Sequence, residues 1–153
     1  MSRTDSTFVV RPVTRRDVDS WVRLKTALWP EGSEAEHRDA ADRFFNPGGP
    51  PRCVLVAEGP SGILGFAEVS VRPYAEACLT EGVGYLEGWF VVPQGRRLGV
   101  GRQLVAAAEG WARSQGCVEF ASDAEATNEV SATAHRALGF TDVGLVRCFR
   151  KSL

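Results

Sequence analysis

The feature that most constrains the fold is an apolar strand that leads directly into a turn rich in glycine and arginine, and then into a helix. The strand pattern YLEGWFVVP covers residues 85–93, the turn QGRRLGVG covers 94–101, and a helical pattern extends from about 99 to 115. A helix that opens just after a strand points its free N–H groups and positive dipole end at that strand's carboxyl edge. A diphosphate fits there. The sequence therefore predicts a phosphate-binding turn, with a solvated turn as the alternative.

Two familiar phosphate loops do not match this turn. A P-loop requires GxxxxGK followed by Ser or Thr, but Gly101 is followed by Arg102 and Gln103. A dinucleotide fingerprint requires a third glycine, but Leu104 stands at that place. A phosphate-bearing cofactor at this turn must therefore be held by a different kind of loop.

The whole chain, residues 1–153, is predicted to form one α/β domain with a central mixed β-sheet flanked by helices. A hairpin pattern in the first half and a βαβ pattern in the second imply both antiparallel and parallel strands. Helices are predicted after the capping pairs Thr14–Asp17 and Ser33–Glu36, from about 99 to 115, and over 129–138. Asn128 is the expected N-cap of the last helix, and Gly139 follows its end. The predicted strands cover residues 7–12, 53–58, 63–72, 85–92, 118–122 and 143–149.

Composition and charge exclude several classes of function. The net charge of −1 gives no basic field, so we expect no nucleic-acid partner. The four cysteines show no metal-binding spacing with the two histidines, so we expect reduced thiols and no metal. The first residues contain no apolar signal region, and no apolar run reaches membrane-spanning length. We therefore expect a cytoplasmic protein with no membrane partner.

The turn itself carries a resemblance. Residues 96–101, RRLGVG, fit the pattern [RQ]-x-x-G-x-[GA], which is similar to the acetyl-CoA pyrophosphate loop of the GNAT acetyltransferases. The predicted order of elements and the sequence AHRALGF at 134–140 agree with that family. The resemblance implies a strand splayed at a bulge, whose exposed backbone pairs with the pantetheine arm of acetyl-CoA. The cofactor-binding residues that it implies are Trp89, Phe90, Val91, Arg96, Arg97, Leu98, Gly99, Val100, Gly101, Arg102 and Asn128.

A closer resemblance suggests the substrate. Four short sequences, LWP at 28–30, LEG at 86–88, FASD at 120–123 and HRALGF at 135–140, together look like the aminoglycoside 6′-N-acetyltransferases. Aminoglycosides are polycations, and residues 119–129 and 31–42 are rich in carboxylates. We therefore expect two acidic segments around a cation-attracting cleft, although a solvated face explains 31–42 equally well.

The resemblance assigns roles to individual side chains. It implies substrate contacts by Trp29, Tyr74, Glu87 and Asp123, and it makes Asp123 or Glu87 the acceptor of the amine proton. His135 occupies the place of a residue that protonates the departing CoA thiolate. The alternatives are structural: a core tryptophan, a salt bridge for Glu87, and a core histidine. The sequence departs from the family after Phe140, where relatives often carry a glutamate and this chain has glycine at 144.

Two other functions remain open from the sequence alone. The first is a GNAT enzyme that acetylates another amine, such as a polyamine or a peptide N-terminus, since acidic walls suit those cations as well. The second is a CoA-binding module without transfer activity. The resemblance also implies a homodimer, which in this family sometimes forms by exchange of C-terminal strands.

Overall fold

The fold is a mixed sheet flanked by helices, as the sequence predicts, but the described residues form five strands rather than the predicted six. The computed structural model describes residues 7–46 and 48–153. The strands lie in the order β1-β2-β3-β4-β5; β1 to β4 are antiparallel neighbours, and β5 is parallel to β4. The elements are β1 Val9–Pro12, α1 Val18–Leu28, α2 Glu34–Phe44, β2 Arg52–Gly59, β3 Gly62–Arg72, β4 Val83–Val91, α3 Val100–Ser114, β5 Phe120–Ser122 and α4 Glu129–Ala137.

Two hydrophobic clusters cover the two faces of the sheet. Alternate residues of a strand point to opposite faces. Leu55 of β2 therefore packs with Leu104 of α3 on one face, whereas Val56 packs with Trp21 of α1 on the other. This division places α3 on one side of the sheet and the α1–α2 pair on the opposite side.

Local capping signals position the first two helices. The Ser33–Glu36 capping box forms at the start of α2: Ser33 Oγ accepts from the Glu36 backbone N–H at 3.1 Å, and Glu36 Oε2 accepts from that of Ser33 at 2.8 Å. Asp17 likewise accepts from the backbone N–H of Thr14 at 2.7 Å. That pair opens a single 3₁₀ turn, residues 15–17, which leads into α1. Arg11 also pairs with Asp17 at 2.7 Å.

A bulge in β4 opens the sheet. Glu68 of β3 lies opposite Gly88, and Val69 lies opposite Leu86, so Glu87 is the extra residue. A bulge bends its strand and re-aims its side chains. β5 pairs with β4 only as far as Leu86. Beyond that residue the two strands separate, which leaves a cleft between them.

The predicted last strand, residues 143–149, is not formed in the structure. Residues 141–153 form neither helix nor strand. Val143, Leu145 and Phe149 are 62%, 81% and 89% exposed. The alternation typical of a strand is present, but a strand needs a hydrogen-bonded neighbour, and the described part of the chain pairs none with this segment. Among the described residues β5 is the last strand of the sheet, so no strand from them lies beside its outer edge.

Neither a membrane span nor a metal cluster occurs in the part of the chain that the structure describes. No helix there has both the length and the apolar character needed to cross a bilayer. No three His, Cys, Asp or Glu side chains come together as a metal site there. The four cysteines are free thiols.

Candidate active site

The opening between β4 and β5 is a cleft of about 360 Å³. Residues from the end of α1, from the β4 bulge, from the end of β5 and from α4 line it. Six residues that the sequence singled out lie together here: Trp29, Glu87, Trp89, Asp123, Asn128 and His135. The site therefore gathers at the carboxyl edge of β4 and β5, where ligands collect in α/β sheets.

Four carboxylates line the cleft, those of Glu31, Glu87, Asp123 and Glu125. Carboxylates that converge on one opening attract cations and focus the field on the space between them. The expected cation-attracting cleft is thus present, and each of the two acidic segments contributes to it.

Other carboxylates of those segments face elsewhere, which corrects part of the expectation. Arg38 pairs with Asp19 and Glu34, as befits the solvated face of a helix. Glu119 Oε1 accepts from the backbone N–H groups of residues 79 and 80, at 2.9 and 2.8 Å, and so holds the loop after β3. Tyr74 lies in that loop, is 62% exposed and does not line the cleft.

Glu87 is firmly held. Its Oε1 accepts from Ser70 Oγ at 2.6 Å and from Arg72 Nε at 2.8 Å, and its Oε2 accepts from Arg72 Nη2 at 2.5 Å. Burial pushes the pKa of Glu87 up, but the hydrogen bonds from Arg72 and Ser70 outweigh burial and hold the pKa below its ordinary value. The structural salt bridge, weighed as the alternative for Glu87, is therefore present, and Glu87 also lines the cleft.

Asp123 is oriented by one phenol. Tyr85 Oη donates to Asp123 Oδ2 at 2.5 Å. Burial and this hydrogen bond raise the pKa of Tyr85, which therefore stays a donor at neutral pH. Among the described residues, no donor contacts the other oxygen of Asp123, Oδ1. That oxygen is available to a ligand in the cleft.

His135 is fixed from both sides. Its Nδ1 lies 2.7 Å from the carbonyl oxygen of Ser131, which can only accept, so Nδ1 carries a proton. Its Nε2 lies 2.9 Å from Ser122 Oγ. The ring also packs edge-on against Trp89 at 5.7 Å between centroids. His135 thus has the hydrogen bonds of a core histidine and still reaches the cleft.

The end of β5 separates two halves of the cleft. Successive residues of a strand point to opposite faces. Ser122 bonds to His135, on the face that carries α4. Asp123 bonds to Tyr85, which packs with Ala121 on the other face. A molecule threaded between β4 and β5 would therefore meet carboxylates on one side and the imidazole on the other.

Trp29 forms the end of the cleft next to α1. It follows the last residue of that helix, and His37 Nε2 lies 3.0 Å from its carbonyl oxygen. Lys25 Nζ lies 5.1 Å from the centroid of the Trp29 ring. On β4, Gly88 leaves room for that ring, since a Cβ there would lie 2.4 Å from Trp29 Cη2. The indole is partly buried and presents the rest of its face to the cleft.

The glycine–arginine turn lies beyond this cleft, at the start of α3. Gly99 has φ of 81° and immediately precedes the helix, a left-handed conformation that favours glycine. Arg96 Nε donates to the carbonyl oxygen of Val91 at 3.1 Å, which ties the turn to β4. Gly101 allows the Trp89 indole to pack on the first helical turn, because a Cβ there would lie 2.9 Å from Trp89 Cζ2.

The remaining predicted cofactor residues follow this geometry. Phe90 and Val91 continue β4 past its contact with β5 and do not line the cleft. The edge of their backbone that faces away from β3 pairs with no strand among the described residues. Arg97, Leu98 and Arg102 are exposed around the turn, and Val100 is buried in the core. Asn128 Oδ1 accepts from the Ser131 backbone N–H at 3.0 Å, which confirms the predicted N-cap of α4.

Sequence reasoning missed the groups that hold the two central carboxylates: Ser70, Arg72 and Tyr85. Ser70 lies opposite Tyr85 across β3 and β4, and Arg72 lies on the same face, two residues along. The strand patterns alone could not reveal that these side chains meet Glu87 and Asp123, because the bulge at Glu87 changes the register between β3 and β4.

Comparison with known proteins agrees with this site. The profile described as the acetyltransferase (GNAT) family matches residues 19–140. An aminoglycoside N(6′)-acetyltransferase type 1 from Klebsiella aerogenes is 52% identical over 151 residues, which cover 97% of this chain and 99% of that relative. The protein of the same name from Serratia marcescens is 37% identical over 139 residues, 90% of this chain and 94% of the relative.

Solved structures give the same result. AAC(6′)-Iy in complex with CoA superposes with a TM-score of 0.92 at 30% identity, covering 100% of both chains. AAC(6′)-Iy in complex with the bisubstrate analogue CoA-S-monomethyl-acetylneamine gives a TM-score of 0.89 at 32% identity, covering 97% of this chain and 100% of that one. The chain therefore belongs to the GNAT family of acetyltransferases, within its group of aminoglycoside N(6′)-acetyltransferases.

Proposed function

We propose that this protein transfers the acetyl group of acetyl-CoA directly to the 6′-amine of aminoglycosides, and so confers resistance to them. The observation that carries the proposal is the cleft: four carboxylates face an opening between two splayed strands, beside a helix start suited to a diphosphate. Relatives that align over nearly the whole chain are named for this activity. One solved relative is complexed with an analogue that joins CoA to an acetylneamine.

Acetyl-CoA is the cosubstrate in this proposal. Its diphosphate binds the backbone N–H groups of the turn from Arg96 to Gly101 and the first turn of α3. Arg97 and Arg102 add positive charge there. The pantetheine arm runs along the free edge of β4 from Trp89 to Val91, as an added strand would.

The aminoglycoside binds on the carboxylate side of the cleft. Its ammonium groups are attracted by Glu31, Glu87, Asp123 and Glu125, and the Trp29 ring suits the apolar face of a sugar. Tyr74 would contact the drug only after its loop moves toward the cleft, since it does not line the cleft.

The reaction requires a neutral amine. Asp123 Oδ1 accepts the proton of the 6′-ammonium group, directly or through water, since Tyr85 engages only Oδ2. The neutral amine attacks the thioester carbonyl, and a backbone N–H near Phe90 or Val91 stabilises the oxyanion. The tetrahedral intermediate loses a second proton from its nitrogen to solvent and collapses, which breaks the C–S bond. The CoA thiolate then takes a proton from His135 or from solvent. Since the proton of neutral His135 is on Nδ1, His135 must first bind a second proton at Nε2 to act as this acid.

A thiol-release assay tests the function. With acetyl-CoA we expect release with kanamycin and none with an otherwise similar aminoglycoside that has a 6′-hydroxyl group. Faster turnover of spermidine than of kanamycin would favour the polyamine alternative. CoA binding without thiol release on any amine would favour the non-catalytic module.

We also propose that the protein is a homodimer that exchanges its C-terminal segments. Residues 141–153 form neither helix nor strand and are exposed, with apolar side chains at Val143, Leu145 and Phe149. The outer edge of β5 is open to a further strand. Light scattering should give twice the chain mass for the intact protein and one chain mass after removal of residues 141–153. A monomeric mass for the intact protein would refute the exchange.

The proposed site of action is the cytoplasm. The four cysteines are free thiols, a state that a reducing compartment preserves. Cell fractionation of a host that produces the protein should recover acetyltransferase activity with the cytoplasmic fraction. Recovery in the periplasmic fraction would contradict this location.

A further inference from the structure

A continuous set of contacts joins the two central carboxylates of the cleft. Arg72 donates a hydrogen bond to each carboxylate oxygen of Glu87. The guanidinium carbon of Arg72 also lies 3.5 Å from the centroid of the Tyr85 ring. Tyr85 in turn donates to Asp123. Arg72 therefore touches one carboxylate directly and stacks on the residue that orients the other.

We infer that Arg72 is a positioning residue of the transfer reaction, which fixes Glu87 as a permanent charge anchor and leaves Asp123 as the proton acceptor. This inference rests on the proposed acetyl transfer to aminoglycosides. It separates the roles of two carboxylates that the sequence leaves interchangeable.

The first argument comes from the bulge. Glu87 is the extra residue of β4, so it lacks a partner directly opposite on β3 that would fix its side chain. The forked guanidinium of Arg72 supplies two parallel N–H donors, an arrangement that restrains a carboxylate in direction as well as in position. Ser70 adds a third donor on Oε1.

The second argument comes from the unequal hydrogen bonding of the two carboxylates. Glu87 accepts three charge-assisted or hydroxyl hydrogen bonds, and each of its oxygens is engaged. Such bonding favours the ionised form and makes Glu87 a poor proton acceptor. Asp123 accepts one, from Tyr85 on Oδ2. A substrate ammonium that reaches both groups is therefore attracted by Glu87 and releases its proton to Asp123.

The third argument comes from the Tyr85 ring. A guanidinium stacked on an aromatic face is held by the ring quadrupole as well as by its ion pair. The stacking fixes Arg72, and with it Glu87, relative to the phenol that orients Asp123. Arg72 thus sets the distance between the carboxylate of Glu87 and that of Asp123.

Replacing Arg72 should lower kcat more than it changes the KM for kanamycin. In Arg72→Gln, Glu87 stays in the cleft and the cleft gains one net negative charge, so the KM for kanamycin should change by less than about threefold. Mispositioning of a reacting group by about 1 Å costs up to about 100-fold, so we expect kcat to fall between about 10- and 100-fold. Arg72→Lys keeps the charge but loses the fork, and should recover only part of kcat. The KM for acetyl-CoA should stay within twofold.

The pH profile supplies a readout that a purely structural role would not move. Without Arg72, burial dominates the environment of Glu87, and its pKa rises. The acid limb of kcat/KM for kanamycin should therefore shift to higher pH in Arg72→Gln. It should not shift in this way in the Arg72→Gln, Glu87→Gln double variant, which lacks the titrating group.

A double-mutant cycle tests whether Arg72 acts through Glu87. The double variant should be about as active as Glu87→Gln alone, whereas independent effects would multiply and would refute the inference. Arg38→Gln is the control, because Arg38 is also an ion-paired arginine, bonded to Asp19 and Glu34, but lies on an exposed helix face outside the cleft. It should retain wild-type kinetics.

Two further results keep the test decisive. Circular dichroism shows whether Arg72→Gln folds. Should it not fold, Ser70→Ala removes one donor to Glu87 and should give a smaller loss of kcat with the same upward shift of the acid limb. Unchanged kinetics in Ser70→Ala would then refute the inference. A wild-type protein that acetylates no aminoglycoside would refute the proposed function and this inference together. An active wild type with multiplying effects would refute only the role of Arg72.

Discussion

The contact between Trp29 and Gly88 gives a quantitative test of the site. A Cβ at Gly88 would lie 2.4 Å from Trp29 Cη2, 2.6 Å from Cζ2, and 3.3 Å from a methyl carbon of Leu28. Carbon atoms not bonded to each other pack at about 3.5–4.0 Å. In Gly88→Ala, the indole must therefore move by about 1 Å away from β4.

The surroundings of the ring resist that movement. Phe66 lies 6.2 Å from the Trp29 ring and His37 lies 6.3 Å from it, both between centroids. Lys25 lies 5.1 Å from the ring centroid and is itself paired with Glu68. Overpacking of such a region costs about 1–3 kcal/mol. Replacing glycine restores about 0.4–1 kcal/mol through the unfolded chain. We therefore expect a net loss of about 1–2 kcal/mol in the free energy of unfolding.

Gly110 of α3 is the matched control in the same chain. A Cβ at Gly110 would meet nothing within 4 Å, and its φ is not in the left-handed region. Alanine in a helix interior is favoured over glycine by about 0.5–1 kcal/mol. Gly110→Ala should therefore stabilise the protein, while Gly88→Ala destabilises it.

Urea unfolding followed by tryptophan fluorescence measures both effects, and steady-state kinetics measures the consequence for the site. Because Trp29 lines the cleft, its displacement in Gly88→Ala should raise the KM for kanamycin several-fold and leave the KM for acetyl-CoA unchanged. Equal stability of Gly88→Ala and Gly110→Ala, or an unchanged KM for kanamycin in Gly88→Ala, would show that the Trp29 ring is free to move and that this reasoning is wrong.

Two further predictions concern single carboxylates. Asp123→Asn should raise the KM for the drug and lower kcat while acetyl-CoA affinity stays nearly intact; unchanged kinetics would remove Asp123 from the mechanism. The hydrogen bond from Arg11 lowers the pKa of Asp17 to about 2, and since this lies below the unfolded value, the resulting stability, about 2 kcal/mol, is present above pH 4 and lost as the pH falls toward 2. Urea unfolding between pH 5 and pH 2 should therefore show a weaker pH dependence in Asp17→Asn than in the wild type, and equal dependence would contradict the assignment.

The parts of the fold predicted well from sequence are those with local causes. The Ser33–Glu36 capping box, the Asn128 cap and the left-handed Gly139 after α4 each depend on residues within one turn. The hairpin between β2 and β3 follows from the turn at residues 59–62 and its flanking alternation. In each case the side chain that directs the backbone lies next to the backbone that it directs.

The parts that sequence could not predict depend on contacts between distant residues. Arg72 and Glu87 are 15 residues apart and meet only because a bulge resets the register between β3 and β4. Glu119 belongs to the acidic segment predicted to form one wall of the cleft, but it accepts a hydrogen bond from a loop 40 residues earlier in the chain. The segment 143–149 has the alternation of a strand, yet alternation alone cannot supply the neighbour that a strand needs.

The alternation of Ser122 and Asp123 has a consequence for how such a protein can diversify. Because these neighbours project to opposite faces, substitutions around the carboxylates can change the proposed drug-binding side of the cleft without touching His135. A shift of β5 by a single residue would exchange the two side chains and spoil both tasks at once. Point substitutions on the carboxylate face should therefore change substrate preference more readily than insertions or deletions near this strand, which would disturb both faces.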